Sequence, residues 1–124
     1  MTDFARLMSD YFVKYLAGQK GSGSNTMKTY RDTFVQLLEF MDEKKHNRAD
    51  CIEVDSFSYD IINEFLEYLE KEKRVSISTR NNRLAAIRSF FKYTGYHEPK
   101  YLNISTSIRE ISKKKTEGRQ MNYL

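Results

Sequence analysis

Apolar residues recur at spacings of three and four along most of this chain, which is the spacing that places side chains on one face of an α-helix. These stripes predict a first helix over about residues 3–17 and a second over about residues 25–45. Two further stripes follow, and a weaker one after Pro99 predicts a short fifth helix. Pro99 is the only proline, which suits long helices because proline removes a helix hydrogen-bond donor. The sequence therefore predicts an all-α bundle, and 124 residues suffice for one domain with one core.

Turn and capping residues predict where these helices begin and end. The stretch from Gly18 to Ser24 contains three glycines and two serines, so we expect a loop whose final serine caps the second helix. Ser58 is the expected cap of the third helix. Ser78 or Thr79 is the expected cap of the fourth, and Gly95 is expected to stop it.

The sequence contains no catalytic or metal-binding motif. Cys51 is the single cysteine, so it forms no intrachain disulfide, and Cys51–Val54 alternates weakly like a short extended segment. His46 and His97 stand alone near predicted helix ends, without the spacing of a zinc site. We also find no phosphate-binding glycine loop, signal peptide or membrane span, and expect a soluble, cytoplasmic protein without cofactor or metal.

Charge changes sign halfway along the chain. The segment 53–72 has seven acidic residues and one base, whereas 73–97 has six basic residues and no acid, within a net charge of +4. This switch predicts either a molecule with one basic and one acidic face or two solvated helices whose charges attract each other. Arg88 and Lys92 in particular either contact phosphate or pair with the acidic third helix.

Two segments resemble a known family. Residues 24–32, Ser-Asn-Thr-Met-Lys-Thr-Tyr-Arg-Asp, are similar to the start of the second helix in the core-binding domain of phage integrases and Xer-type recombinases. The shared pattern is a small polar cap, Thr, an apolar residue and Tyr-Arg. Residues 76–93 resemble the fourth helix of that domain, with a small polar start, Leu, small residues, an aliphatic residue, Arg and an aromatic pair.

The resemblance covers the chain from Phe4 to about Ile111, with two departures. Arg80 stands where the family usually has an aliphatic residue, so we expect the first turn of the fourth helix to pack differently. Glu98-Pro99 replaces the usual Asn-Pro. Because both segments occur in the family's order with an acidic helix between them, we identify a resemblance to the N-terminal, SAM-like core-binding domain of tyrosine recombinases.

This resemblance implies two crossed helix hairpins whose second and fourth helices face the major groove of double-stranded DNA. It implies a DNA-binding domain over residues 1–112 and a basic linker over 113–124 that leads toward a separate catalytic domain. Asn suits adenine edges, Arg suits guanine, and Lys, Ser and Thr mostly contact phosphate. Helix starts add free N–H groups. The expected DNA-contacting residues are Asn25, Lys28, Thr29, Ser78, Thr79, Arg80, Asn82 and Arg83.

The resemblance also bears on catalysis. The family's tyrosine nucleophile and its basic cluster belong to the carboxy-terminal domain, so we do not expect this chain to be an enzyme. None of Tyr93, Tyr96, Tyr101 and Tyr123 has a basic cluster around it in the sequence. By analogy the protein is nucleoid-associated, and its first helix contacts a neighbouring recombinase protomer, although Phe4, Leu7 and Tyr11 serve equally well as intramolecular core.

Two other functions are consistent with a small helical domain. A protein-interaction module would dock through the acidic third helix or the aromatic first helix, but it would not need the acid-free stretch 73–97. A helix-turn-helix regulator needs two short helices joined by a turn of about three or four residues, and no such pair is evident.

Overall fold

A computed structural model describes residues 1–18 and 23–115. The first helix, α1 (Asp3–Asp10), begins after Thr2, whose Oγ1 accepts a hydrogen bond from the Ala5 N–H at 3.1 Å. It continues directly into a π-helical segment, Tyr11–Leu16. The predicted helix over 3–17 is therefore confirmed, with a change of helical type in its second half.

The second helix, α2 (Ser24–Lys45), agrees with the predicted range 25–45. Its N-cap is Gly23, so the prediction that Ser24 caps the helix is wrong by one residue. The helix ends at His46, which has a left-handed φ of 54° and so terminates the α-helical hydrogen bonding.

The segment between α2 and the next helix forms two short 3₁₀ turns, Ala49–Cys51 and Val54–Ser56. The extended conformation that we predicted for Cys51–Val54 is limited to Ile52 and Glu53, which join the two turns. The apolar side chains that gave the alternating pattern, Ile52 and Val54, are both fully buried. Core burial and local turn hydrogen bonds thus replace the pairing that a strand would need, and the described residues contain no strand.

The third helix, α3 (Tyr59–Lys71), begins at the predicted cap, with Ser58 Oγ accepting from the Ile61 N–H at 3.1 Å. Its buried side chains, Ile62, Phe65, Leu66, Tyr68 and Leu69, form one stripe. The acidic residues of the helix lie outside that stripe, as the sequence pattern predicts.

The fourth helix, α4 (Ile77–His97), is capped by Ser76, whose Oγ accepts from the Thr79 N–H at 3.0 Å. The predicted caps Ser78 and Thr79 are therefore wrong, and both residues lie within the first turn. Gly95 does not stop the helix either. A β-carbon at Gly95 would lie 2.6 Å from the β-carbon of Ser105, so this glycine permits a close approach between helices rather than a helix end.

The fifth helix, α5 (Leu102–Arg109), follows a 3₁₀ turn at Pro99–Tyr101, so the predicted short helix after Pro99 is confirmed. α4 lies at the centre of the bundle and contacts α2, α3 and α5. Its Phe90 packs within about 5.5 Å of the rings of Phe4, Tyr11 and Phe34, which joins α1 and α2 to the same aromatic core. The all-α bundle with the predicted order of helices is confirmed.

No helix among residues 1–18 and 23–115 is long and apolar enough to span a bilayer. The same residues contain no cluster of His, Cys, Asp or Glu suited to a metal ion. Most of the predicted linker, residues 116–124 with Tyr123, lies outside the described residues.

Candidate nucleic-acid interface

The structure brings the starts of α2 and α4 together. Arg83 of α4 donates from Nη1 to the Thr29 carbonyl oxygen at 3.3 Å and to Thr33 Oγ1 at 3.4 Å, both on α2. Thr33 Oγ1 in turn donates to the same Thr29 carbonyl at 2.9 Å. Residues 50 or more positions apart in the sequence are thus fixed side by side, because one guanidinium spans both helices.

An open groove of about 270 Å³ lies between these two helix starts. Three of the predicted DNA-contacting residues line it, Asn25 and Thr29 from α2 and Asn82 from α4. Among the described residues, no charged side chain lines this groove. The lining consists of amide and hydroxyl side chains and one methyl group, from Asn25, Thr26, Thr29, Tyr30, Asn82 and Ala85. Such a lining offers hydrogen-bond donors and acceptors of the kind that contact base edges.

One face of α4 is exposed along its whole length. Ser78, Asn82, Ala85, Arg88 and Lys92 are exposed at spacings of three and four, so they form a continuous stripe. No acidic residue occurs anywhere in α4. Because the stripe carries only neutral polar, small and basic groups, its local potential favours an anionic partner.

Lys28 lies on the exposed side of α2 and directly precedes Thr29, which lines this groove. Its side chain is exposed, and its Nζ donates to Asp32 Oδ2 at 3.0 Å. This hydrogen bond from Lys28 lowers the pKa of Asp32 below its ordinary value. Since exposed ion pairs between residues four apart are weak, the ammonium of Lys28 remains available to a phosphate.

Arg80 is the one buried residue of the predicted set. Its side chain is only 5% exposed, and it contacts Glu70, Asn81 and the Ser112 carbonyl rather than solvent. The aliphatic residue that the family usually has at this position would also be buried, so Arg80 keeps the burial but adds a charge that needs internal partners. Arg80 therefore does not belong to the exposed surface.

Two other predicted residues have partly structural roles. Thr79 is half-buried, and its Oγ1 accepts from Ser76 Oγ at 3.1 Å in the cap of α4. Arg83 is half-buried because Nη1 holds α2 as described above. The exposed members of the predicted set are Asn25, Lys28, Ser78 and Asn82.

Glu64 and Glu70 of α3, and Glu72 at its C-cap, have charged partners within the chain. Glu72 pairs with Lys44 at 3.1 Å and Glu64 pairs with Lys45, both across to α2. Within the described residues, Arg88 and Lys92 pair with no carboxylate of α3. Of the two alternatives for those residues, pairing with the acidic helix is therefore not observed. The sequence did not reveal that the end of α2 supplies the partners of Glu64 and Glu72, because nothing in it shows that this end lies against α3.

The chain matches the family model for the phage integrase N-terminal SAM-like domain over residues 10–100. The chain belongs to this family. Among curated relatives, a Sinorhizobium fredii protein named as an integrase/recombinase is 30% identical over 97% of this chain, and a second one from the same organism is 32% identical over 97%. Tyrosine recombinase XerC of Roseiflexus is 34% identical over 66% of this chain.

This integrase-family chain spans 36% and 43% of the length of the two Sinorhizobium relatives. No solved structure matches it significantly. The sequence resemblance to tyrosine recombinases is thus confirmed at the level of the family and of the N-terminal domain.

Tyr93 and Tyr101 of the integrase-family domain do not have the properties of activated nucleophiles. A hydrogen bond to the Asp3 carboxylate and burial raise the pKa of Tyr101, and burial raises the pKa of Tyr93. A nucleophilic phenol needs the opposite, an environment that stabilises its phenolate. Tyr96 is 83% exposed, and Tyr123 lies outside the described residues.

Proposed function

We propose that this chain binds duplex DNA as the N-terminal domain of a site-specific tyrosine recombinase and positions a separate catalytic domain for strand exchange. The observation that carries the proposal is the groove between α2 and α4, in which Asn25, Thr29 and Asn82 come together beside the acid-free stripe of α4. The family match supports the proposal.

The geometry suits a major groove, which is wide enough to admit an α-helix. The stripe of α4 presents Asn82 and Ala85 toward solvent, while Leu84, Ile87 and Phe91 hold the helix in the core. Asn82 is then free to pair with an adenine edge, and Ala85 is small enough to let the helix approach the bases. Arg88 and Lys92, further along the same stripe, would contact phosphates on either side of that groove.

Arg83 has a different task in this proposal. Because it fixes α2 to α4, it sets the distance between Asn25 and Asn82 and therefore the width of the surface offered to DNA. Lys28 on the outer side of α2 contributes a phosphate contact, which carries no sequence information but fixes orientation.

A titration of labelled duplex at several salt concentrations, monitored by anisotropy, tests the proposal. With about 4 to 6 phosphates contacted, the log-log salt slope is expected near −4 to −5. Lys28→Ala should weaken binding to every sequence and flatten the slope by about 1, whereas Asn82→Ala should cost about 1–3 kcal/mol on the preferred site only.

Matched controls exist in the chain. Lys14 pairs with Asp10 four residues before it on the first helical segment, so Lys14→Ala removes the same type of exposed ion pair outside the groove. Asn103 is an exposed asparagine of α5, so Asn103→Ala matches Asn82→Ala. Absence of binding at low salt, or equal effects of the site and control variants, would contradict the proposal. The same titration can be followed by NMR. If the amide chemical shifts that change on addition of DNA centre on Glu64 and Glu67, they would instead indicate a protein-interaction module.

A further inference from the structure

The segment that follows α5 contacts the start of α4, and Asn81 makes two of these contacts. Asn81 donates from Nδ2 to the Lys114 carbonyl oxygen at 2.7 Å and accepts at Oδ1 from the Lys114 N–H at 2.9 Å. Both backbone polar groups of Lys114 are therefore satisfied by one side chain. This two-point contact resembles the pairing of a strand and fixes orientation as well as position.

Arg80 supports this contact from the core. Its Nη1 donates to Asn81 Oδ1 at 3.0 Å and to the Ser112 carbonyl oxygen at 3.2 Å, so it orients Asn81 and holds the backbone two residues before Lys114. Its Nε lies 3.5 Å from Glu70 Oε2. Because the guanidinium is buried, this carboxylate is needed to balance its charge.

Glu70 connects the same segment to α3. Lys114 donates from Nζ to both carboxylate oxygens of Glu70, at 3.1 and 3.0 Å. Glu70 thus forms ion pairs with both Arg80 and Lys114. A substitution at any one of these three residues therefore alters the ion pairing of the other two. The Lys114 side chain is about half exposed, so its ion pair is partly screened by solvent and the backbone contacts of Asn81 and Arg80 complement it.

The location of this contact connects it with the proposed interface. Asn81 lies between Ser78 and Asn82 of the exposed α4 stripe, in the first turns of the helix. Lys113 and Lys115 flank Lys114 and are exposed. Within the described part of the chain, neither lysine pairs with a carboxylate.

We infer that Arg80 and Asn81 form a clamp that holds Ser112–Lys114 on the start of α4, so that Lys113 and Lys115 contact phosphates of the same duplex. The clamp itself stands on the contacts above, and only the phosphate contacts rest on the proposed function. In this arrangement Arg80 and Asn81 are positioning residues that do not touch DNA. A clamped segment binds with a smaller loss of conformational freedom than a free one would.

Hydrogen exchange of the Lys114 amide tests the clamp without DNA. Asn81→Ala should speed exchange at Lys114 about 5-fold, which corresponds to the loss of one hydrogen bond of about 1 kcal/mol. Asn81→Asp keeps the oxygen acceptor but loses the Nδ2 donor, so its exchange should lie between wild type and Asn81→Ala. Asn82→Ala, the same substitution at the next residue, should leave Lys114 unchanged. Unchanged exchange in Asn81→Ala would overturn the clamp.

A double-mutant cycle on duplex DNA tests the phosphate contacts. Replacing Lys113 and Lys115 together by Ala should flatten the salt slope by about 2 in the wild-type background. The same replacement in the Asn81→Ala background should have at most about half the effect on affinity, because the segment is no longer held in place. If the double lysine replacement lowers DNA affinity equally in both backgrounds, or has no effect in the wild-type background, the proposed phosphate contacts of the clamped segment are refuted.

The two tests separate the possible failures. If the wild-type chain does not bind duplex DNA at low salt, the proposed function fails, while Lys114 exchange still decides whether the clamp exists. If the chain binds DNA and the cycle shows no coupling, the proposed function stands and the contribution of the clamp to DNA binding is refuted.

Discussion

Asp3 fixes the first helix to two distant parts of the chain. Its Oδ1 accepts from the Val54 N–H at 3.0 Å, its own N–H donates to Glu53 Oε1 at 3.1 Å, and its other oxygen accepts from the Tyr101 hydroxyl. Burial raises the pKa of Asp3, but the hydrogen bonds, that of Tyr101 first, outweigh burial and lower it. The ionised carboxylate is therefore the form that the fold stabilises.

Tyr101→Phe tests this contact. The variant should lose about 1–3 kcal/mol of unfolding free energy at pH 7, because a charged acceptor loses a buried donor. The pKa of Asp3, followed by NMR of its carboxyl carbon, should rise. The stability difference should be complete above pH 3.8, the ordinary pKa of Asp, and should disappear as pH falls through the lower pKa of the folded chain.

Tyr96→Phe is the matched control for Tyr101→Phe. Tyr96 is 83% exposed, so removal of its hydroxyl should change stability by less than about 0.5 kcal/mol. Equal stability of the two variants at pH 7 would show that the Asp3 contact does not hold the first helix.

At the scale of elements, the packing of α5 on α4 depends on Gly95. Within a helix, glycine costs about 1 kcal/mol relative to alanine, so propensity alone favours Gly95→Ala. Packing opposes it, because the added β-carbon would lie 2.6 Å from the fixed β-carbon of Ser105, which is itself fully buried. Overpacking of this kind costs about 1–3 kcal/mol, so it outweighs the gain in propensity.

We therefore expect Gly95→Ala to destabilise the domain, measured by chemical denaturation with the unfolding free energy as readout. Ser105→Gly removes the side chain that the added β-carbon would meet, so the double variant should be more stable than the sum of the two single effects predicts. Purely additive effects would show that the close approach is absent in solution.

The whole molecule combines a helical core with a surface for an anionic partner. α4 runs through the centre, and its buried residues, Leu84, Ile87, Phe90 and Phe91 among them, contact the other helices. The exposed stripe of α4 is the face of the same helix that does not pack in the core. One helix therefore serves both stability and the proposed DNA binding, on different faces.

We expect the chain by itself to form no covalent link with DNA. In the described residues, burial or an acceptor carboxylate raises the pKa of Tyr93 and Tyr101, so neither phenol is activated for attack on a phosphate. Incubation with a nicked suicide duplex, followed by denaturing electrophoresis, should show no adduct. A complete tyrosine recombinase on its own site is the positive control, and an adduct with this chain would contradict the expectation.

The sequence alone determined the helical class and the approximate ranges of the helices. Apolar periodicity and capping hydrogen bonds involve residues that are close together in the sequence. The cap at Ser58 and the range of α2 could therefore be predicted from neighbouring residues. The two motif segments likewise identified the family and the helix starts that line the groove. The predicted DNA contacts of Asn25, Lys28, Thr29, Ser78, Thr79, Asn82 and Arg83 remain predictions, and our proposal gives Arg83 the additional role of fixing α2 to α4.

Tertiary structure decided the roles that depend on a partner far away in the chain. Gly95 has the local signature of a helix stop, but the position of Ser105 makes it a packing residue. Arg80 has the signature of a DNA contact, but Glu70 and the Ser112 carbonyl draw it into the interior. Lys44 and Lys45, rather than Arg88 and Lys92, neutralise carboxylates of α3 and its C-terminal end. The physical reason is common to all three, because charge pairing and steric contact depend on distance in space, which sequence patterns do not contain.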